Sequence, residues 1–247
     1  MQPLRISAVS YLNTFPFVFG LKESGILHNF TLELDVPSVC ADKFKRGLVD
    51  IALVPVGVLP ELSAFHYLSD FCIGATGEVK TVLLLSKVPL EKISRVSLDF
   101  DSRTSVQLVK VLAEKYWQIE PEWVNLEQGD FSGMQELESV VAIGDKTFGM
   151  RHKFPYVYDL AEAWIHQTGL PFVFAVWVSG EILSDDQIQQ FSDSLSFGIS
   201  HKSECLEYFR DRLPFGEDSL KYLEENISYH FDDDKRRGLD LFLRYIR

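Results

Sequence analysis

Residues 5–54 read RISAVSYLNTFPFVFGLKESGILHNFTLELDVPSVCADKFKRGLVDIALV, and the order of patterns within them sets the fold class. Arg5–Val9 has the pattern of a strand. Thr14–Leu21, with Phe15, Phe17, Val18 and Leu21, predicts a short helix. Thr31–Val36 places Leu32, Leu34 and Val36 at alternate positions, the period of a half-buried strand. Ser38 is the expected N-cap of a helix that carries Phe44 and Leu48 and stops near Gly47. Ile51–Val54 is short and wholly apolar, as strands covered on both faces of a parallel sheet are. The resulting β-α-β-α-β series predicts a parallel, doubly wound α/β lobe.

A second lobe is expected after the turn-like segment Gly74–Gly77. Val82–Leu85 and Arg95–Leu98 are strand patterns. Thr104–Trp117 repeats Val106, Val109, Leu112 and Tyr116 at helical spacing. Val140–Ile143 forms the next strand and stops at Gly144-Asp145. Phe172–Val178 is a long apolar strand, and helices are predicted over Asp186–Ile199, Lys202–Arg212, Ser219–Asn226 and Asp233–Ile246. The sequence shows no internal repeat and no flexible linker. Two lobes without a linker imply crossing strands, for which Thr81–Leu85 and Phe172–Val178 are the natural candidates. The expected division is a discontinuous first lobe, 1–80 plus 178–247, around a second lobe, 81–177. Ligands of open α/β sheets lie beyond the carboxyl ends of the strands. An interlobe cleft is therefore expected among the turns after Val9, Val54, Leu98 and Ile143.

Composition narrows the function classes. The chain has 247 residues, 46% of them hydrophobic, enough apolar material for one or two packed domains. Its net charge is −12 and no stripe of Lys and Arg interrupts it, which argues against a nucleic-acid or anionic-membrane partner. A small anionic ligand stays open, because a local pocket can oppose the global sign. The three cysteines share no CxxC spacing, so buried free thiols are expected rather than a disulfide framework. No run approaches the roughly 18–20 apolar residues of a membrane span, and the first residues show no secretion signal. A cytoplasmic protein without a membrane span is expected; oligomeric state is left open. The six histidines form no HxH or HExxH cluster, so no metal is expected. The lack of GxSxG, P-loop and GxGxxG patterns argues against a serine hydrolase, an NTPase and a dinucleotide-binding dehydrogenase.

The polar turns carry the chemistry that remains. Ser10-Tyr11-Leu12-Asn13-Thr14 opens a helix, and Asn13 reads first as its N-cap. Amides at a helix start also bind carboxylates, and Ser10 and Asn13 would add donors beside them. Asp99-Phe100-Asp101-Ser102-Arg103-Thr104-Ser105 leads into a helix in the same way. There Arg103 offers charge and the hydroxyls offer directional bonds. Capping by Asp101 or Ser102 with a solvated Arg103 is an equally good reading. Asp232-Asp233-Asp234 fits a dipole-complementing cap better than a metal site. Asp99 and Asp101 fit capping and turn roles better than Mg²⁺ binding. Trp164 and Trp177 could wall a pocket, although core is the usual place for such rings.

Ile6-Ser7-Ala8-Val9-Ser10-Tyr11-Leu12-Asn13-Thr14-Phe15-Pro16-Phe17 resembles the opening of the chorismate dehydratase family. The likeness runs on through Asp50–Pro55, Val79–Leu84, Ser102–Val106, Ile143–Asp145, Thr168–Trp177 and Asn226–Tyr229, and so spans nearly the whole chain. It implies the type II periplasmic-binding-protein fold without a transport role. It also implies dehydration of chorismate to 3-[(1-carboxyvinyl)oxy]benzoate, in the futalosine route to menaquinone, with no metal or organic cofactor. Carried over by position, Asn13 is the expected catalytic residue. Ser10, Tyr11, Thr81, Ser102, Arg103, Thr104, Ser105, Gly144 and Asp145 are the expected substrate contacts. Val56 stands where relatives often have serine, so a hydroxyl contact is lost there. None of these hydroxyls or amides is a good base near neutrality, and Asp145 is the nearest carboxylate. Two alternatives are weaker. A sister naphthoate synthase would open with Ser-Pro-Cys-Pro-Asn-Asp, and a non-catalytic anion receptor would carry a secretion signal.

Overall fold

Strand β1 (Leu4–Val9), helix α1 (Phe15–Glu23), strand β2 (Phe30–Asp35), helix α2 (Pro37–Lys45) and strand β3 (Ile51–Pro55) deliver the expected opening series. The computed structural model describes residues 3–99, 103–126, 133, 136–214 and 218–247. Strands β2 and β3 flank β1 and run parallel to it, with Leu4 opposite Phe30 and Ile6 opposite Ile51. After β4 (His66–Ala75) the chain moves to a second sheet. There it forms β5 (Val82–Ser86), β6 (Arg95–Leu98), α3 (Arg103–Leu112), β7 (Glu122–Asn125), β8 (Ser139–Ile143), α4 (Lys146–Met150), β9 (Tyr156–Asp159) and α5 (Leu160–Thr168). It then returns through β10 (Phe172–Ser179), α6 (Asp185–Ser200), α7 (Lys202–Tyr208), α8 (Ser219–Glu225), β11 (Ser228–His230) and α9 (Asp233–Tyr245).

The two sheets share one plan. The first has the order β2-β1-β3-β10-β4-β11 and the second β7-β6-β8-β5-β9. In each, three parallel strands meet one antiparallel strand, β10 or β5, that arrives from the other half of the chain. The repeat is one of topology, with no repeat in sequence to announce it.

Both strands named as crossings pair within a single sheet. Strand β5 pairs with β8 and β9, and β10 pairs with β3 and β4. The chain crosses instead in the short segments 76–81 and 169–171, so β10 belongs to the first lobe and not to an 81–177 unit. Helix α2 also starts differently, with Pro37 in its first turn and no side-chain cap, while Ser38 is buried within that turn. Proline suits the first helical position because no N–H is needed there. Leu48 lies beyond this helix, 46% exposed. Strands β4, β7, β9 and β11 and helices α4 and α5 had no clean periodicity to find. In β4, for example, the pairing with β10 is bulged twice, which breaks the alternation.

Trp177 packs edge-on against Phe17 at 5.8 Å and Phe191 at 5.1 Å, and Trp164 against Phe172 at 5.4 Å and Phe242 at 6.0 Å. Both indoles are buried in the core and neither walls the cleft. Each such ring stabilises the fold by roughly 1.5–3 kcal/mol through burial alone. Cys40, Cys72 and Cys205 are buried free thiols. Among the described residues no helix is long and apolar enough to cross a membrane.

Candidate functional site

The carboxyl ends of β1, β3, β6 and β8 face one another across a cavity between the two sheets. Its polar lining includes Tyr11, Asn13, Thr14, Thr81, Thr104, Ser105 and Gly144, set among apolar residues such as Leu53, Ile143 and Phe174. The space open to the centres of water molecules is about 60 Å³. That is a narrow slot, with room for roughly four waters. Among the described residues no charged side chain lines it.

Local contacts explain the narrowness. Gly144 ends β8 with φ +72°, and a Cβ there would lie 2.8 Å from the Tyr11 ring. A side chain would therefore be both strained and in collision. At Gly57 a Cβ would come within 2.9 Å of the Thr104 backbone. With no Cβ in the way, the Gly57 N–H donates to Thr104 Oγ1 at 3.0 Å. Thr104 Oγ1 in turn donates to the Phe174 carbonyl at 3.3 Å. The Gly144 N–H donates to the Thr81 carbonyl at 2.9 Å, tying the end of β8 to the crossing segment. Helix α3 is described from Arg103, and Thr104 and Ser105 in its first described turn lie at the lobe interface.

Asn13 does not cap α1, whose start has no side-chain cap bond. Its Oδ1 accepts from the Thr14 hydroxyl at 3.1 Å. Its carbonyl accepts from the Tyr229 hydroxyl at 2.9 Å. Deeper in, the hydroxyls of Tyr222 and Thr81 are hydrogen-bonded at 2.9 Å. Burial holds both tyrosines well above their ordinary pKa, so both stay neutral and can donate. Asp145 stands just behind the lining, and its two oxygens share the Leu12 N–H at 3.2 and 3.1 Å. Burial pushes its pKa up to about 6, against the opposing pull of that N–H and of Arg212.

Six of the ten expected site residues thus meet at the cavity: Tyr11, Asn13, Thr81, Thr104, Ser105 and Gly144. Ser10 is half-buried but off the lining, with its N–H given to the Asp35 carbonyl at 2.9 Å. Arg103 does not reach the cavity. It crosses to the first lobe and pairs with Asp42 at 3.1 Å and Glu61 at 3.4 Å, since both carboxylates offer partners at the surface. Asp145 binds backbone across the lobes instead of facing the cavity. Ser102 lies outside the described residues, as does Asp101. Asp99 is buried in an ion pair with Lys146, joining the turn after β6 to the start of α4. Asp232 caps α9 by accepting the Lys235 N–H at 2.9 Å, as its position suggested. Among the described residues no three His, Cys, Asp or Glu converge as a metal site requires.

Sequence reasoning missed Phe174, Tyr222 and Tyr229. Phe174 and Tyr229 fell within quoted motifs without being singled out, and nothing in an ordinary helix distinguishes Tyr222.

A family profile described as menaquinone biosynthesis matches residues 4–247. A chorismate dehydratase of Thermus thermophilus is 27% identical, with 98% of this chain and 94% of that protein aligned. A protein of Archaeoglobus fulgidus superposes with a TM-score of 0.76 at 15% identity, covering 98% of this chain and 96% of its own. The periplasmic aliphatic sulphonate binding protein of Escherichia coli follows the same course, with a TM-score of 0.60, 13% identity and coverage of 99% and 92%. At these identities the structural matches speak for the fold, that of the periplasmic binding proteins.

Proposed function

The chain belongs to the menaquinone biosynthesis family, and on that footing we propose that it removes water from chorismate to give 3-[(1-carboxyvinyl)oxy]benzoate. The observation that carries this reading is the cavity itself: an apolar slot whose polar lining, among the described residues, is uncharged, with Thr104 and Ser105 of α3 at its edge. Such a site suits a dianion that brings its own charge. Backbone N–H groups and hydroxyls can hold two carboxylates without a lysine or arginine in contact.

In the reaction the hydrogen on the ether-bearing ring carbon leaves as a proton, and the hydroxyl leaves from the neighbouring carbon. The electron pair of the broken C–H bond becomes the new ring double bond, and the ring becomes aromatic. Much of the driving force lies in the substrate, so the protein has chiefly to orient it and exclude water. In this reading Asn13, which lines the cavity, directs an N–H at the substrate or its departing hydroxyl. The enolpyruvyl carboxylate, held beside the acidic C–H, serves as the proton acceptor, because Asp145 is already engaged with Leu12. We accordingly read the protein as a carbon–oxygen hydro-lyase acting in the cytoplasm on the futalosine route.

The test is incubation of the purified protein with chorismate, followed by mass spectrometry. Loss of one water per molecule, undiminished by EDTA, is expected. Chorismate recovered unchanged from a folded preparation would sink the proposal.

A further inference from the structure

A threonine hydroxyl has one hydrogen to give and two lone pairs with which to accept. At Thr104, 2% exposed on the cavity side of α3, that capacity can be followed atom by atom. The Gly57 N–H donates to Oγ1 at 3.0 Å, and Oγ1 donates to the Phe174 carbonyl at 3.3 Å. Both directions are fixed by chemistry, since a backbone N–H can only donate and a carbonyl can only accept. The single hydrogen is therefore spent on protein, and none is left for a substrate carboxylate.

Both partners belong to the first lobe. Gly57 is the second residue of the short 3-10 helix Val56–Glu61 that follows β3, where an N–H has no acceptor within its own helix. The N-cap of that helix is Pro55, which has no side-chain oxygen to offer, and no side-chain cap bond is made there. Thr104 thus does from the opposite lobe what a serine or threonine at the N-cap usually does. Phe174 is the residue passed over by the register shift between Val173 and Ala175 where β10 pairs with β4, so its carbonyl can bond outside the ladder.

We infer that Thr104 is a positioning residue and not a substrate donor: its hydroxyl clasps the two lobes across the cavity, capping the Val56–Glu61 helix and holding the β10 carbonyl at once. The consequence for catalysis rests on the dehydratase reading, whereas the bonds do not. Parting the clasp leaves a buried N–H and a buried C=O without partners until water reaches them, which opposes separation of the lobes. Arg103, the preceding residue, pairs with Glu61 at the far end of the same helix at 3.4 Å, but at the surface, where such a pair holds little. The buried hydroxyl is the stronger tie. The cavity lining comes from both lobes, so a ligand meets all of it only while the clasp is made. Loosening the clasp reduces the fraction of protein competent to bind.

The experiment compares Thr104→Val, which keeps a similar shape and removes the hydroxyl, with Thr104→Ser, which keeps the hydroxyl. Hydrogen exchange at the Gly57 amide, followed by nuclear magnetic resonance in the ligand-free protein, reads the clasp directly. In Thr104→Val it should quicken by roughly tenfold or more, and in Thr104→Ser it should stay within about threefold of wild type. On chorismate, Thr104→Val should raise KM by about five- to tenfold with kcat within about twofold, and Thr104→Ser should restore KM. A raised KM with Gly57 exchange unchanged would make Thr104 a substrate donor and overturn the inference, and so would faster exchange with KM unchanged. Gly57→Ala is the second variant. It leaves every hydroxyl in place, but its Cβ would stand 2.9 Å from Thr104 Cα and force the same contact apart. It should raise KM likewise and enlarge the radius of gyration in solution scattering. A Gly57→Ala protein with wild-type radius and KM overturns the clasp even if Thr104→Val does not fold. If the wild-type protein leaves chorismate unchanged, the dehydratase reading alone fails, and exchange and scattering still decide the clasp.

Discussion

Two helix starts face the same cavity, and they are held in opposite ways. The turn at residues 10–14 is braced from behind by side chains remote in sequence: Tyr229 on the Asn13 carbonyl and Asp145 on the Leu12 N–H. The turn leading into α3 has its charge drawn outward, Arg103 being committed to Asp42 and Glu61. Its cavity side presents Thr104 and Ser105. The first turn therefore supplies orientation, and the second supplies a join between two lobes. Fixing a polar group precisely takes buried partners.

Asn13→Ala should break this contrast most severely. Removing an oriented donor typically costs about a hundred- to a thousandfold in kcat. The affinity for the benzoate product should change far less, since the amides of both turns remain. A loss confined to KM would show that Asn13 binds and does not orient.

Gly144→Ala attacks the meeting of the lobes, combining a left-handed φ with a collision against Tyr11. A stability loss of roughly 1–3 kcal/mol in urea unfolding is expected, together with a raised KM. Unaltered values would mean that Tyr11 swings aside freely and that the narrow slot is not required.

Asp145 sharpens the comparison through pH. Its folded pKa of about 6 lies above the ordinary carboxylate value near 4. The native state therefore holds its proton more tightly, and this contribution is complete below pH ~4 and lost as pH rises through about 6. Asp145→Asn should abolish that loss, leaving the variant more stable than wild type at pH 7.5 by on the order of 2 kcal/mol. Turnover in Asp145→Asn should fall only a few fold, far less than in Asn13→Ala. If turnover vanishes while fold and affinity persist, Asp145 is the base and substrate-assisted proton transfer is wrong.

The smallest effect is expected at Arg103. Exposed ion pairs contribute at most about 1 kcal/mol, so Arg103→Ala should raise KM no more than about fivefold. Added salt should shrink even that difference. A rise of ten- to a hundredfold would restore Arg103 to the substrate.

Much of this was legible from the sequence, and the misses have physical causes. The polar turns after β1, β6 and β8 announced themselves because helix starts draw on a small set of residues, and Asn13, Thr104, Ser105 and Gly144 indeed line the cavity. Arg103 was misjudged because its partners Asp42 and Glu61 are 61 and 42 positions away, and charge pairing at that distance leaves no periodic trace. Tyr222 was invisible for a similar reason. The segment Ser219–Glu225 looks like any amphipathic turn, and only the folded chain shows that one hydroxyl ends beside Thr81.

The path of the chain also sets an order of assembly. Residues 82–168 hold every strand of the second sheet in one continuous stretch, so that half can form as soon as it is made. The first sheet cannot, because β10 sits between β3 and β4, more than a hundred residues behind the former. Such distant pairings are slow to form and leave strand edges open meanwhile. Tyr222 and Tyr229 follow later still. During synthesis the second lobe therefore acts as a scaffold that waits, and Asn13, made before every strand of that lobe, is among the last to become fixed. In refolding followed by pulsed hydrogen exchange, amides of β5, β6 and β8 should gain protection before those of β3 and β4. A kinetic intermediate with one finished lobe and no working site is the expected intermediate on this route.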